Sequence, residues 1–129
     1  MTPQYLMQKA DRALQSARVL LDGGDTDGAC NRAYYAMFDA ARAALLASKA
    51  PVEAEITRTH SGLITAFSLH FVKPGRIAVE HGRALNKVED LRLIADYKGD
   101  QVSTNNAAWA IEQASRFVAA IRSAFPDET

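Results

Sequence analysis

The chain has 129 residues, 48% hydrophobic and 23% charged, and its 15 Lys and Arg balance 15 Asp and Glu to a formal net charge of zero. That length can bury a hydrophobic core without metals or disulfides, and the single cysteine, Cys30, excludes an internal disulfide. The charge balance excludes the general basic footprint of a dedicated nucleic-acid binder while leaving room for local basic patches.

Thr2-Pro3 reads as a helix start, with Thr2 as cap and Pro3 in the first turn. Leu6, Ala10, Ala13, Leu14, Ala17 and Leu21 follow as one helical stripe, with Gln8, Arg12 and Gln15 facing away. Gly23-Gly24 stops this helix, and Asp25 caps the next, with Asp27 complementing its dipole. So short a connection predicts an antiparallel hairpin.

The second predicted helix, centred on residues 31–46, organises the chain. It has no Gly or Pro and is dominated by strong helix formers. Cys30, Tyr34, Phe38, Ala41 and Leu45 share one face, and Ala33, Met37, Ala40 and Ala44 broaden it. Asn31, Arg32, Asp39 and Arg42 are expected on the other side. A helix this broadly apolar needs partners on several flanks, which makes it the centre of a bundle. Tyr34 belongs to the core stripe. Tyr35, about 100° further round, is expected at a rim with its hydroxyl toward a partner.

Residues 49–55 read as a loop, with Pro51 blocking continuation. A third helix is expected from Thr57 or Thr59, burying His60, Leu63, Ile64, Phe67 and Phe71, and ending at Lys73-Pro74-Gly75. A fourth spans Ile77 to Tyr97 along Ile77, Leu85, Val88, Leu91 and Ala95, and is broken by Gly99-Asp100. Ser103 or Thr104 caps a fifth, with Ala107, Ile111, Ala114, Val118, Ile121 and Phe125 on one face. Residues 126–129 are expected to be a frayed polar tail. The pattern contains no strand signal and no repeat. It predicts one all-α domain over residues 1–129, an up-and-down four-helix bundle with an additional helix.

No segment has membrane-spanning hydropathy, and Met1–Met7 lacks a signal-peptide pattern, so the expected location is cytoplasmic. His60, His70 and His81 form no metal-ligand spacing, and there is no phosphate-binding glycine loop and no nucleophile elbow. The expectation is therefore no metal and no cofactor.

Three segments carry a family resemblance: Asn31-Arg32-Ala33-Tyr34-Tyr35-Ala36-Met37-Phe38, then Thr59-His60-Ser61-Gly62-Leu63-Ile64 with Phe71-Val72-Lys73, then Asp90-Leu91-Arg92-Leu93-Ile94-Ala95-Asp96-Tyr97. In this order they resemble HEPN domains. The resemblance implies a helical bundle and a homodimer. It implies association with a small nucleotidyltransferase in toxin–antitoxin pairs, and often a metal-independent ribonuclease. The ribonuclease motif is Arg, four to six residues, then His, near the end of a core helix. Arg would offset phosphate charge and His would move a proton.

Here Arg92 matches the Arg, but Tyr97 stands where a His would be, with Asp96 before it. Tyrosine has an unperturbed pKa of about 10 and is a poor proton shuttle near neutral pH. Two readings follow. One is a module that binds RNA or a nucleotide at a dimer cleft, through Arg32, Tyr35, His60 and Arg92, without catalysis. The other is an RNase toxin using Arg92 with Asp96 or Tyr97 in place of the His. The pair Arg92–Asp96 can equally be a helix-surface ion pair. A literal Arg-x-x-x-x-His at Arg76 and His81 lies at the start of its helix and reads as coincidence, with His81 packed on an apolar line. His60 is expected to face helix two and hydrogen-bond there.

Overall fold

The computed structural model describes all 129 residues. Its elements are α1 (Pro3–Asp22), α2 (Thr26–Ala47), α3 (Ala54–Thr57), α4 (His60–Phe67), α5 (Val79–Tyr97) and α6 (Thr104–Ala124). A π-helical turn, Ser68–Val72, continues α4. There are no strands, and no helix is long and apolar enough to cross a membrane. Four long helices form the bundle, and α4 with its π turn is the addition.

The caps explain the boundaries. Thr2 Oγ1 accepts from Tyr5 N at 3.1 Å, and Asp25 Oδ1 accepts from Gly28 N at 2.8 Å. Ser103 Oγ accepts from Asn106 N at 3.0 Å. Gly24, at φ +87°, takes the left-handed conformation that lets α2 reverse onto α1. Asp27 does more than suit a dipole: its Oδ1 accepts from Val102 N at 2.8 Å and pins the strand-like lead into α6 against the start of α2.

The core surrounds α2. Ala29, Cys30, Ala33, Tyr34, Ala36, Met37, Ala40, Ala41, Ala43 and Ala44 are all 0% exposed. Its many alanines allow α1, α5 and α6 to pack closely on three flanks. Phe67, Phe71, Phe117 and Phe125 close the far end, with neighbouring ring centroids 5.1–5.5 Å apart.

Several expectations are corrected. The segment read as a loop ends in the four-residue helix α3, which docks on α4 at Gly62. A side chain there would collide with the Ile56 carbonyl and Thr59 Oγ1. The third predicted helix is α4 plus a π turn, in which Lys73 N bonds back five residues to Ser68 O at 2.8 Å. The fourth predicted helix starts at Val79. On it, Leu91 is only half-buried while Arg92 is 4% exposed. Asp39, expected on a polar side, is 6% exposed, because packing at that flank of α2 encloses most of its side chain and brings Lys9 of α1 beside it. The C-terminal residues are tied back, with Thr129 N bonding to Phe125 O at 3.1 Å.

Candidate functional site

The buried stripe of α5 is Leu85, Val88 and Arg92, at helical steps of three and four. Arg92 therefore enters the bundle at a position built for an apolar side chain. Its charge is met from its own helix. Nε donates to Glu89 Oε2 at 3.3 Å, and Nη2 donates to both Glu89 oxygens at 3.3 and 3.4 Å. Nη1 donates to Asp96 Oδ2 at 2.9 Å. Side-chain exposure is 5% for Arg92, 12% for Glu89 and 36% for Asp96, so the triad opens to solvent on the Asp96 side. Burial works against the guanidinium charge, but Glu89 outweighs it and holds the pKa above the ordinary arginine value.

The guanidinium lies 4.9 Å from the Tyr34 ring centroid and 5.9 Å from that of Tyr35. These rings belong to a cluster. Tyr34, Tyr35, Phe38 and His60 have mutual centroid distances of 5.3–6.1 Å. The Tyr34 hydroxyl and His60 Nδ1 share a hydrogen bond of 2.8 Å, which fixes the imidazole against α2. Burial, then the Glu89 carboxylate, raise the Tyr34 pKa far above its ordinary value, so this hydroxyl keeps its proton.

Toward solvent the cluster is flanked by cations on α2. Arg32 lies 5.8 Å from the Tyr35 centroid, and Arg42 lies 6.0 Å from that of Phe38. Tyr35 is half-buried, between core and surface. The structure thus brings together Arg32, Tyr35, His60 and Arg92, with Asp96 on the latter's guanidinium. It leaves Tyr97 apart, 77% exposed. His81 is half-buried on α5, its ring 6.3 Å from Phe117, at the other end of the bundle core. No group of His, Cys, Asp and Glu residues could hold a metal ion.

Sequence reasoning did not bring Glu89, Tyr34 or Phe38 to this site. The signal for Glu89 was available: it stands three residues before an arginine that continues the Leu85–Val88 line.

Comparison with known proteins agrees with this architecture. A family model described as the HEPN domain matches residues 3–124. A UPF0332 protein of Gloeobacter violaceus is 40% identical over 122 residues, covering 92% of this chain and 93% of its own length. A chain of Methanocaldococcus jannaschii named "Putative toxin" is 34% identical, over 96% of this chain and 89% of its own. A UPF0332 protein of Thermotoga maritima is 33% identical, over 96% and 91%.

Proposed function

This chain belongs to the HEPN domain family, and we propose that it is the HEPN module of a toxin–antitoxin or nucleotidyltransferase-associated system. In this reading it binds RNA or a nucleotide without cutting it. The toxin name carried by a relative aligned along almost its whole length supports the context.

The observation that carries the binding reading is the aromatic cluster flanked by cations on one side of α2. Bases stack on aromatic faces whatever their sequence, and arginines grip phosphate through paired donors. Arg32 and Tyr35 offer these two functions side by side, with His60 as the edge of the platform. Arg92 is a positioning residue here. Its Nε, Nη1 and Nη2 donate to Glu89 and Asp96, and its guanidinium holds the Tyr34 and Tyr35 rings in place.

Cleavage is disfavoured by the same geometry. The two carboxylates on Arg92 repel a scissile phosphate, and Tyr97 is 77% exposed and makes no contact with the rings of the cluster. The same reading includes a homodimer with this surface at its cleft, a nucleotidyltransferase antitoxin as protein partner, and a cytoplasmic location.

The test is incubation of the purified protein with total RNA, beside an Arg92→Ala variant. Retention of intact RNA by the wild type supports the proposal. Cutting by the wild type but not by the variant replaces it with the RNase reading, and neither retention nor cutting removes both.

A further inference from the structure

Asp39 stands on α2 four residues after Tyr35 and three before Arg42, so the order Arg32, Tyr35, Asp39, Arg42 runs along one helix face at steps of three, four and three. Asp39 is 6% exposed. It takes no part in the four ion pairs of the molecule or in its side-chain hydrogen bonds. None of its oxygens is sealed from water without a partner, so the largely buried carboxylate keeps a narrow contact with solvent. Lys9 from α1 and Arg42 and Arg32 from α2 are the charges that act on it. Burial nevertheless dominates and raises its pKa above the ordinary carboxylate value. The protein thus keeps a buried acceptor, at a cost in stability, on a face where three cations leave a positive excess.

A ligand suited to this face carries negative charge and also a hydrogen-bond donor for the carboxylate. A basic peptide meets the donor requirement but is repelled by Lys9, Arg32 and Arg42. A ribonucleotide meets both. Helical rise separates Arg42 from Asp39 by about 4.5 Å and Asp39 from Tyr35 by about 6 Å. These steps follow the phosphate, ribose and base of one nucleotide laid along the helix.

We infer that Asp39 reads the ribose, accepting a hydrogen bond from the 2′-hydroxyl while Arg42 holds the phosphate and the half-buried Tyr35 stacks the base. The 2′-hydroxyl is the group that tells RNA from DNA, and an acidic side chain is a suitable acceptor for it. This inference rests on the binding reading above and adds what the face selects.

The experiment compares labelled single-stranded ribo- and deoxyribo-oligonucleotides of the same sequence, by fluorescence anisotropy, on wild type and Asp39→Asn. The expected result is a ribo preference of about tenfold, the size of one charge-assisted hydrogen bond. It should collapse to about twofold or less in Asp39→Asn, with deoxyribo binding unchanged or tighter. Asp39→Asn removes a buried charge and is expected to fold, which circular dichroism checks directly. Equal binding of the two oligonucleotides by the wild type overturns the ribose assignment and leaves the binding reading intact. A preference that persists in Asp39→Asn also overturns it. Absence of binding to either oligonucleotide by the folded wild type removes the binding reading itself.

Discussion

Replacing Arg92 by alanine leaves Glu89, whose side chain is 12% exposed, without the cation that meets both its oxygens. Breaking one side of a buried pair costs about 3–5 kcal/mol, mostly as the penalty of the abandoned charge. Asp96 is 36% exposed, so water takes over its side and it adds little. The lost stacking under Tyr34 and Tyr35 contributes about 0.5–2 kcal/mol. The low end applies because Glu89 retains some solvent contact, which places the expected loss near 3 kcal/mol. For a chain of this size that corresponds to a fall of about 10–15 °C in Tm. Urea unfolding followed by far-ultraviolet circular dichroism measures it. The double variant Arg92→Ala, Glu89→Ala should be more stable than the single one by about 1–2 kcal/mol, since the abandoned charge is gone. A single-variant loss below about 1 kcal/mol, or a double variant that is the sum of its parts, refutes the buried-triad account.

Three further outcomes follow from the same packing. Phe38→Ala should lose about 3–5 kcal/mol in chemical denaturation, because a 7% exposed ring among Tyr34, Tyr35 and His60 leaves a cavity. Asp39→Asn should be more stable than wild type at neutral pH. The folded Asp39 pKa is raised, so its penalty is full above that pKa, shrinks as pH falls through it, and vanishes below the unfolded value of about 3.9. A pH series of unfolding midpoints shows whether the gap closes on acidification. Burial, then Asp27 and Asp96, push the Cys30 thiol up to about 11, partly offset by Arg92. Iodoacetamide at about pH 8 should therefore spare the native thiol and modify the urea-unfolded chain.

Helices α1, α2 and α6 were legible because each has a side-chain cap and a stripe of matching period: Thr2, Asp25 and Ser103 act as caps in the structure, and the Tyr34–Phe38 line is buried, whereas α5 has no side-chain cap and its start was read two residues early. What the pattern could not show is which polar residues the neighbours cover. Asp39 reads as a surface residue along α2 alone, and its 6% exposure arises from neighbours in the fold, with α1 bringing Lys9 beside it. Arg92 reads as a surface ion pair with Asp96 and is instead a buried triad, because the Leu85–Val88 line continues through it. Helix α3 lacks a side-chain cap and has no buried residue, so nothing in its four residues separates it from a loop. The π turn depends on one extra residue that periodicity alone does not register. For the candidate site, the sequence named Arg32, Tyr35, His60, Arg92, Asp96 and Tyr97. Their separation into an aromatic cluster, a triad beneath it and an exposed Tyr97 is a matter of tertiary packing.

The proposed function places RNA on the Arg32–Tyr35 face of α2. Its most direct test is the anisotropy of a labelled single-stranded RNA titrated with wild type, Arg32→Ala and Tyr35→Ala, each checked for native circular dichroism. Wild type should bind saturably and salt-sensitively, and binding should weaken by about tenfold in each variant, as loss of one phosphate contact or one stacked base implies. Wild-type affinity retained by both folded variants would contradict it.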